Sequence, residues 1–166
     1  MSNISVLVDT SFLITLYDNT RDGSDVANKY FHYFLDHKMI LYLSTVVISE
    51  FHQGQSIIDV LQSGNYVPLP YNLEDAIETA TIAYHLGGKK RQPGRAEYKD
   101  DLKLMGQAKQ NNIDYIITAD ENTLAKYCES LTKIGKSLFP PKMILLKNGF
   151  DSGIFNNGQQ SMIDNN

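Results

Sequence analysis

Asp9, Glu50, Asp101 and Asp120 are the residues of this chain whose types and positions could do chemistry. Asp9 follows Ile4-Ser5-Val6-Leu7-Val8, and Asp120 follows Tyr115-Ile116-Ile117-Thr118. Both runs read as short strands. Carboxylates at the carboxyl ends of parallel strands reach the edge where ligand crevices form, although they are far apart in sequence. Oxygen ligands gathered there suit a hard divalent cation such as Mg2+ or Mn2+, which offsets their mutual repulsion.

Each acidic residue also has a structural reading. Asp101 at a helix start could serve the helix dipole, and the adjacent Asp100 competes for either role. Asp120 could cap a helix or hold a turn. Glu50 sits inside an otherwise apolar helical segment. Asp9 beside Val8 and Phe12 would pay for desolvation unless paired or well hydrogen-bonded.

The elements that must position these residues alternate. Strands are expected at 4–8, 40–43, 115–118 and 142–146, with a short extended piece at 66–70 limited by its prolines. Thr10 or Ser11 caps a first helix over 12–17, and a second covers 26–37. Ser44 caps a third that carries Glu50 and runs towards Leu61 with a break near Gly54. A further helix over 72–86 turns Leu73, Ala76, Ile77, Ala80 and Ala83 or Tyr84 inward and ends at Gly87-Gly88. Asp100 and Asp101 open the next, through Asn111, with Leu102, Met105 and Ala108 inward, and 122–136 forms the last. This alternation predicts a three-layer α/β/α sandwich around a mainly parallel sheet.

With 166 residues the chain suits one domain, here residues 1–150, followed by a polar Asn-, Gln- and Gly-rich tail at 151–166 with few groups to order it. Hydrophobic residues make up 42% and charged residues 20%, as in globular proteins. No apolar stretch approaches the ~20 residues that cross a bilayer. The amino terminus lacks the basic start and apolar core of a secretory signal. A cytoplasmic protein with no membrane partner is expected. The lone Cys128 excludes an internal disulfide framework and reads as a small buried side chain. A net charge of −4 argues against nucleic-acid binding by bulk electrostatics, so a local basic patch or bound cations must supply the attraction.

Asp9-Thr10-Ser11 after a strand, Ser44 followed by Glu50, Asp101 followed by Ala108, and Thr118-Ala119-Asp120 after a strand occur in this order over 4–146. Together they resemble the PIN-domain nucleases, VapC-like ribonucleases among them. The resemblance implies a PIN-like fold and hydrolysis of phosphodiester bonds, generally in RNA. It implies that Asp9, Glu50, Asp101 and Asp120 hold one or two Mg2+ or Mn2+ ions and carry catalysis. Thr10 or Ser11 and Thr118 would orient those carboxylates. Many such proteins are toxins inhibited by a partner antitoxin, and many form homodimers. The basic loop ahead of the third acidic position is longer than in a minimal member.

That loop holds Lys89, Lys90, Arg91, Arg95 and Lys99, and reads as a strip for RNA phosphates or as a solvated charged loop. Cleavage at a metal centre needs no histidine base. His32, His37, His52 and His85 are scattered and read as structural or surface residues, with His52 nearest the site. A phosphate-accepting receiver would want an acidic pair after the first strand, and a haloacid-dehalogenase-type phosphatase would want Asp at 11, where Ser stands. A PIN-like module that binds RNA or protein without cutting is the non-enzymatic alternative.

Overall fold

The computed structural model describes residues 4–87, 96–135 and 141–156, apart from the side chains of 96–98. Lys89, Lys90, Arg91 and Arg95 lie outside the described residues. Among the described residues five strands are present: β1 (Ser5–Val8), β2 (Ile40–Ser44), β3 (Val67–Leu69), β4 (Tyr115–Thr118) and β5 (Lys142–Leu145). All neighbouring pairs are parallel, in the order β3-β2-β1-β4-β5. The chain steps outward from β1 to β3, then returns to pair β4 on the other side of β1. The sheet therefore reverses its winding between β1 and β4, and a crevice opens beyond the carboxyl ends of those two strands.

The connections are α1 (Thr10–Tyr17), α2 (Ser24–Asp36), α3 (Thr45–Gly54), α4 (Ile58–Gln62), α5 (Leu73–His85), α6 (Ala96–Gln110) and α7 (Leu124–Ile134). Right-handed crossovers put the helices before β3 on one face of the sheet and those after it on the other. Packing agrees, since α1 lies against α2 and α3, whereas α6 lies against α5 and α7. This is the three-layer α/β/α architecture. Covered on both faces, the central strands are apolar without alternation: Val6, Leu7, Val8, Ile116 and Ile117 are fully buried.

α1 begins at Thr10 with Asp9 as its N-cap, so neither Thr10 nor Ser11 caps it. Three further elements depart from the sequence expectation. First, α6 begins at Ala96 rather than at Asp100, which moves Asp101 into its second turn. The helix-dipole explanation of that carboxylate therefore falls away, because the effect is confined to the first turn. Second, α5 turns most of its expected stripe outward, although Ala83 packs against the core. Leu73, Ile77 and Tyr84 are 70%, 60% and 70% exposed, whereas Asp75 and Ile82 face inward. Close approach of α6 decides this orientation, because Gly106 lies directly against Thr79 and the Asp75 carbonyl. Asp75 is tolerated inside because its carboxylate accepts from the Asn72 N–H at 2.9 Å and the Asn111 amide at 3.0 Å.

Third, the packed chain continues past the boundary expected at residue 150. Ser152–Phe155 forms a 3-10 helix. Phe155 stacks on Tyr33 with ring centroids 5.2 Å apart and meets Tyr115 edge-on at 5.0 Å. Four aromatic anchors, Tyr30, Tyr33, Phe34 and Tyr115, hold the segment that composition alone marks as polar. Residues 157–166 lie outside the described residues.

Candidate metal and catalytic site

β1 ends in Val8, and the backbone N–H of the next residue, Asp9, still donates to the Ile117 carbonyl at 3.1 Å. The Asp9 carboxylate thus lies at the winding reversal, beside the end of β4. Its Oδ2 accepts from the Ser11 hydroxyl at 2.5 Å and the Thr118 hydroxyl at 2.7 Å. Burial raises its pKa above the ordinary carboxylate value, and these two hydrogen bonds oppose the rise. Ser11 also accepts from the Ala119 N–H at 2.9 Å, and Thr118 from the Asp120 N–H at 2.9 Å. Two hydroxyls therefore hold the start of α1 and the end of β4 in one register.

Glu50 comes from the second turn of α3, and its Oε2 accepts from the Thr10 hydroxyl at 2.6 Å. Asp120 is bound on both oxygens, by the Asn122 N–H at 2.7 Å and the Thr123 hydroxyl at 2.5 Å. Asp101 reaches the same place from α6, also against the Thr123 hydroxyl. Burial, with added repulsion from Asp9, Asp120 and Glu50, pushes its pKa up to about 7 against the stabilising Thr123 contact. One of its oxygens, Oδ2, is buried with no hydrogen-bond partner. Asp100 instead pairs with Lys103 at 2.8 Å. Of the two adjacent acids, Asp101 is the one with a buried oxygen left unsatisfied, whereas Asp100 is paired with a lysine.

Asp9, Glu50, Asp101 and Asp120 line one cavity of about 160 Å3, together with Asp100, Thr10, Ser11 and Thr123. Thr118 completes the cluster from behind, fully buried. As placed, the carboxylates are turned towards their hydroxyl neighbours, and among the described residues no three His, Cys, Asp or Glu groups stand at metal-holding distance. The donor set nonetheless fits a hard cation: it is all oxygen and anionic, with one buried carboxylate oxygen left over. A larger cavity of about 750 Å3 lies between α7 and β5. Its acids are already neutralised, Glu121 by Lys147 and Glu129 by Lys133, so it lacks this chemistry.

No histidine lines the carboxylate cavity. His52 accepts the Ile57 N–H at 3.3 Å at the junction of α3 and α4. His37 bonds the Tyr33 carbonyl at 2.9 Å. Cys128 is buried, and burial holds its thiol protonated. Thr123 is the site residue absent from the sequence expectation. A hydroxyl three positions after an aspartate at a strand end is a turn signature that could have marked it.

The same fold occurs in VapBC-1 from nontypeable Haemophilus influenzae, at 16% identity and TM-score 0.57, over 87% of this chain and 99% of that one. DNA-bound VapBC from Salmonella typhimurium matches at 15% identity and TM-score 0.55, over 86% and 98%. Mycobacterium tuberculosis VapC20, a Sarcin-Ricin loop cleaving toxin, matches at 15% identity and TM-score 0.50, over 73% and 94%. No protein-family model and no curated protein matches the sequence. The likeness carries the fold, which is PIN-like, and the roles of individual residues rest on this chain's own geometry.

Proposed function

We propose that this chain, built on the PIN-like fold it shares with the VapBC structures, is a Mg2+- or Mn2+-dependent endoribonuclease, the toxin of a toxin-antitoxin pair. The observation that carries the reading is the convergence of Asp9, Glu50, Asp101 and Asp120 on one cavity at the winding reversal, with Asp101 Oδ2 buried and unpartnered. The similarity to a toxin that cleaves the Sarcin-Ricin loop favours RNA as the substrate.

Asp9, Glu50, Asp101 and Asp120 would hold the cation. When bound, it supplies Lewis acidity towards water and phosphate near neutral pH. Ser11 and Thr118 aim the Asp9 carboxylate, Thr10 aims Glu50, and Thr123 sits between Asp101 and Asp120. Supporting hydroxyls of this kind fix the orientation of ligating carboxylates. Lys89, Lys90, Arg91 and Arg95 are proposed to meet the RNA backbone, which an acidic chain would otherwise repel. The exposed apolar side chains of α5 favour a homodimer, and the likeness to VapBC favours an antitoxin partner. Among the described residues no helix is long and apolar enough to cross a membrane.

The test is cleavage of end-labelled single-stranded and structured RNA by the purified chain, with Mg2+, Mn2+ or chelator, and Asp9→Asn alongside. Metal-dependent cutting that disappears in a folded Asp9→Asn variant is the expected result. Cutting at the wild-type rate by that variant would overturn the site assignment. RNA binding without cutting by the wild type would make the chain a binding module on the same fold.

A further inference from the structure

A second polar cluster lies behind the carboxylates, and none of its members lines the site cavity. Gln107 on α6 is fully buried, as is Ser44 at the end of β2. The Ser44 hydroxyl donates a short hydrogen bond to the Gln107 amide oxygen and accepts from the Val46 N–H at 3.0 Å. With its proton committed to Gln107, the hydroxyl oxygen is free to cap α3. The Gln107 amide nitrogen donates to the Leu69 carbonyl at the end of β3, at 3.3 Å. One side chain thus ties α6 to the ends of two strands and to the start of α3.

The placement of this tie matters for the site. Glu50 lies six residues beyond Ser44 on α3, and Asp101 lies six residues before Gln107 on α6. Six helical residues form a lever of roughly 9 Å, so a small change of tilt at the tie displaces a carboxylate at the far end. The buried neighbours Leu104, Met105 and Ala108 show that apolar residues suffice to pack α6. Glutamine brings what they lack, an acceptor for Ser44 and a donor for Leu69 in one planar group.

We infer that Gln107 is a positioning residue which, through Ser44, sets the separation of Glu50 and Asp101 across the proposed metal site. This rests on the metal-site reading above, and the experiment separates the two. Mn2+ affinity is measured by calorimetry on the full chain, well below each variant's own unfolding midpoint, for wild type, Gln107→Met, Ser44→Ala and Leu131→Ala. Leu131 is fully buried on α7, away from the tie, so its truncation destabilises the fold without touching this cluster.

Gln107→Met and Ser44→Ala should each weaken Mn2+ binding roughly tenfold or more, the usual scale for losing a group that orients a ligand. Leu131→Ala should lower the unfolding midpoint and leave Mn2+ affinity at the wild-type value. Wild-type Mn2+ affinity in folded Gln107→Met would overturn the inference and leave the metal site standing. Equal weakening in Leu131→Ala would also overturn it, by showing that general destabilisation moves the readout. Should Gln107→Met fail to fold, Ser44→Ala decides by the same comparison. A wild type that binds no Mn2+ would overturn the metal-site reading and this inference with it.

Discussion

Thr118 donates its hydroxyl hydrogen to Asp9 at 2.7 Å across 109 residues of sequence, at the one place where the sheet reverses its winding. The same oxygen accepts the Asp120 N–H, so a single buried side chain relates the carboxylates that end β1 and β4. Replacing Thr118 by Val keeps its shape and removes both bonds. Leaving buried partners unsatisfied costs roughly 1–3 kcal/mol. Thr118→Val should therefore lower both thermal stability and Mn2+ affinity, read by calorimetry. An unchanged unfolding midpoint would show that neither bond matters to the fold.

Asp101 makes metal-free stability depend on pH. Burial, reinforced by Asp9, Asp120 and Glu50, raises its folded-state pKa from 3.8 to about 7. The folded state then binds the proton more tightly than the unfolded state. Its favourable contribution is complete below about 3.8 and is lost as pH rises through about 7. The unfolding midpoint of chelator-treated protein should fall over that window, and Mn2+ at neutral pH should restore it. Asp101→Asn should flatten the fall; an equally steep fall in the variant would assign the effect to another group.

Gly106 lets α6 close on α5. A Cβ there would stand 2.1 Å from Thr79 Oγ1, 2.9 Å from the Thr79 nitrogen and 3.0 Å from the Asp75 carbonyl oxygen. Gly106→Ala should cost roughly 1–3 kcal/mol, as other overpacked sites do. Because two of the three obstacles are backbone atoms, adding Thr79→Ala should recover only part of the loss. Full recovery in urea denaturation would show that the side chain was the sole obstacle.

The basic loop is proposed to meet phosphates rather than metal. Charge reversal at Lys90 and Arg91 should weaken RNA binding and flatten its dependence on salt, with Mn2+ affinity unchanged. Titrations of the wild type and the double variant at several salt concentrations check this. Identical salt slopes would remove the loop from the interface.

The exposed apolar side chains of α5 are proposed as the contact of a homodimer. Ile77→Lys should give a folded monomer in sedimentation at concentrations where the wild type sediments as a dimer, since an exposed position tolerates the charge and a buried interface does not. A wild-type monomer, or an unaffected variant dimer, would leave that face without this role.

Strand endings, helix spacing and the four carboxylates were legible from local pattern. Val6, Leu7 and Val8 before Asp9, and Ile116 and Ile117 before Thr118, announce buried parallel strands, and a carboxylate has little reason to follow such a run unless something binds it. Local pattern alone did not separate Asp101 from Asp100; only the family resemblance preferred Asp101. Adjacent helical residues point about 100° apart; both acids reach the cavity, and the packing of α6 leaves a buried oxygen unpaired on Asp101 while Asp100 meets Lys103. Nor was the inward face of α5 legible, where Leu73 and Ile77 fit helical periodicity as well as Asp75 and Ile82 do. Periodicity identifies a helix without saying which side its neighbour will press. The contact of Gly106 with Thr79 settles that, and so does the bond between Ser44 and Gln107. Both join residues far apart in the chain, a relation that exists only once the layers have packed.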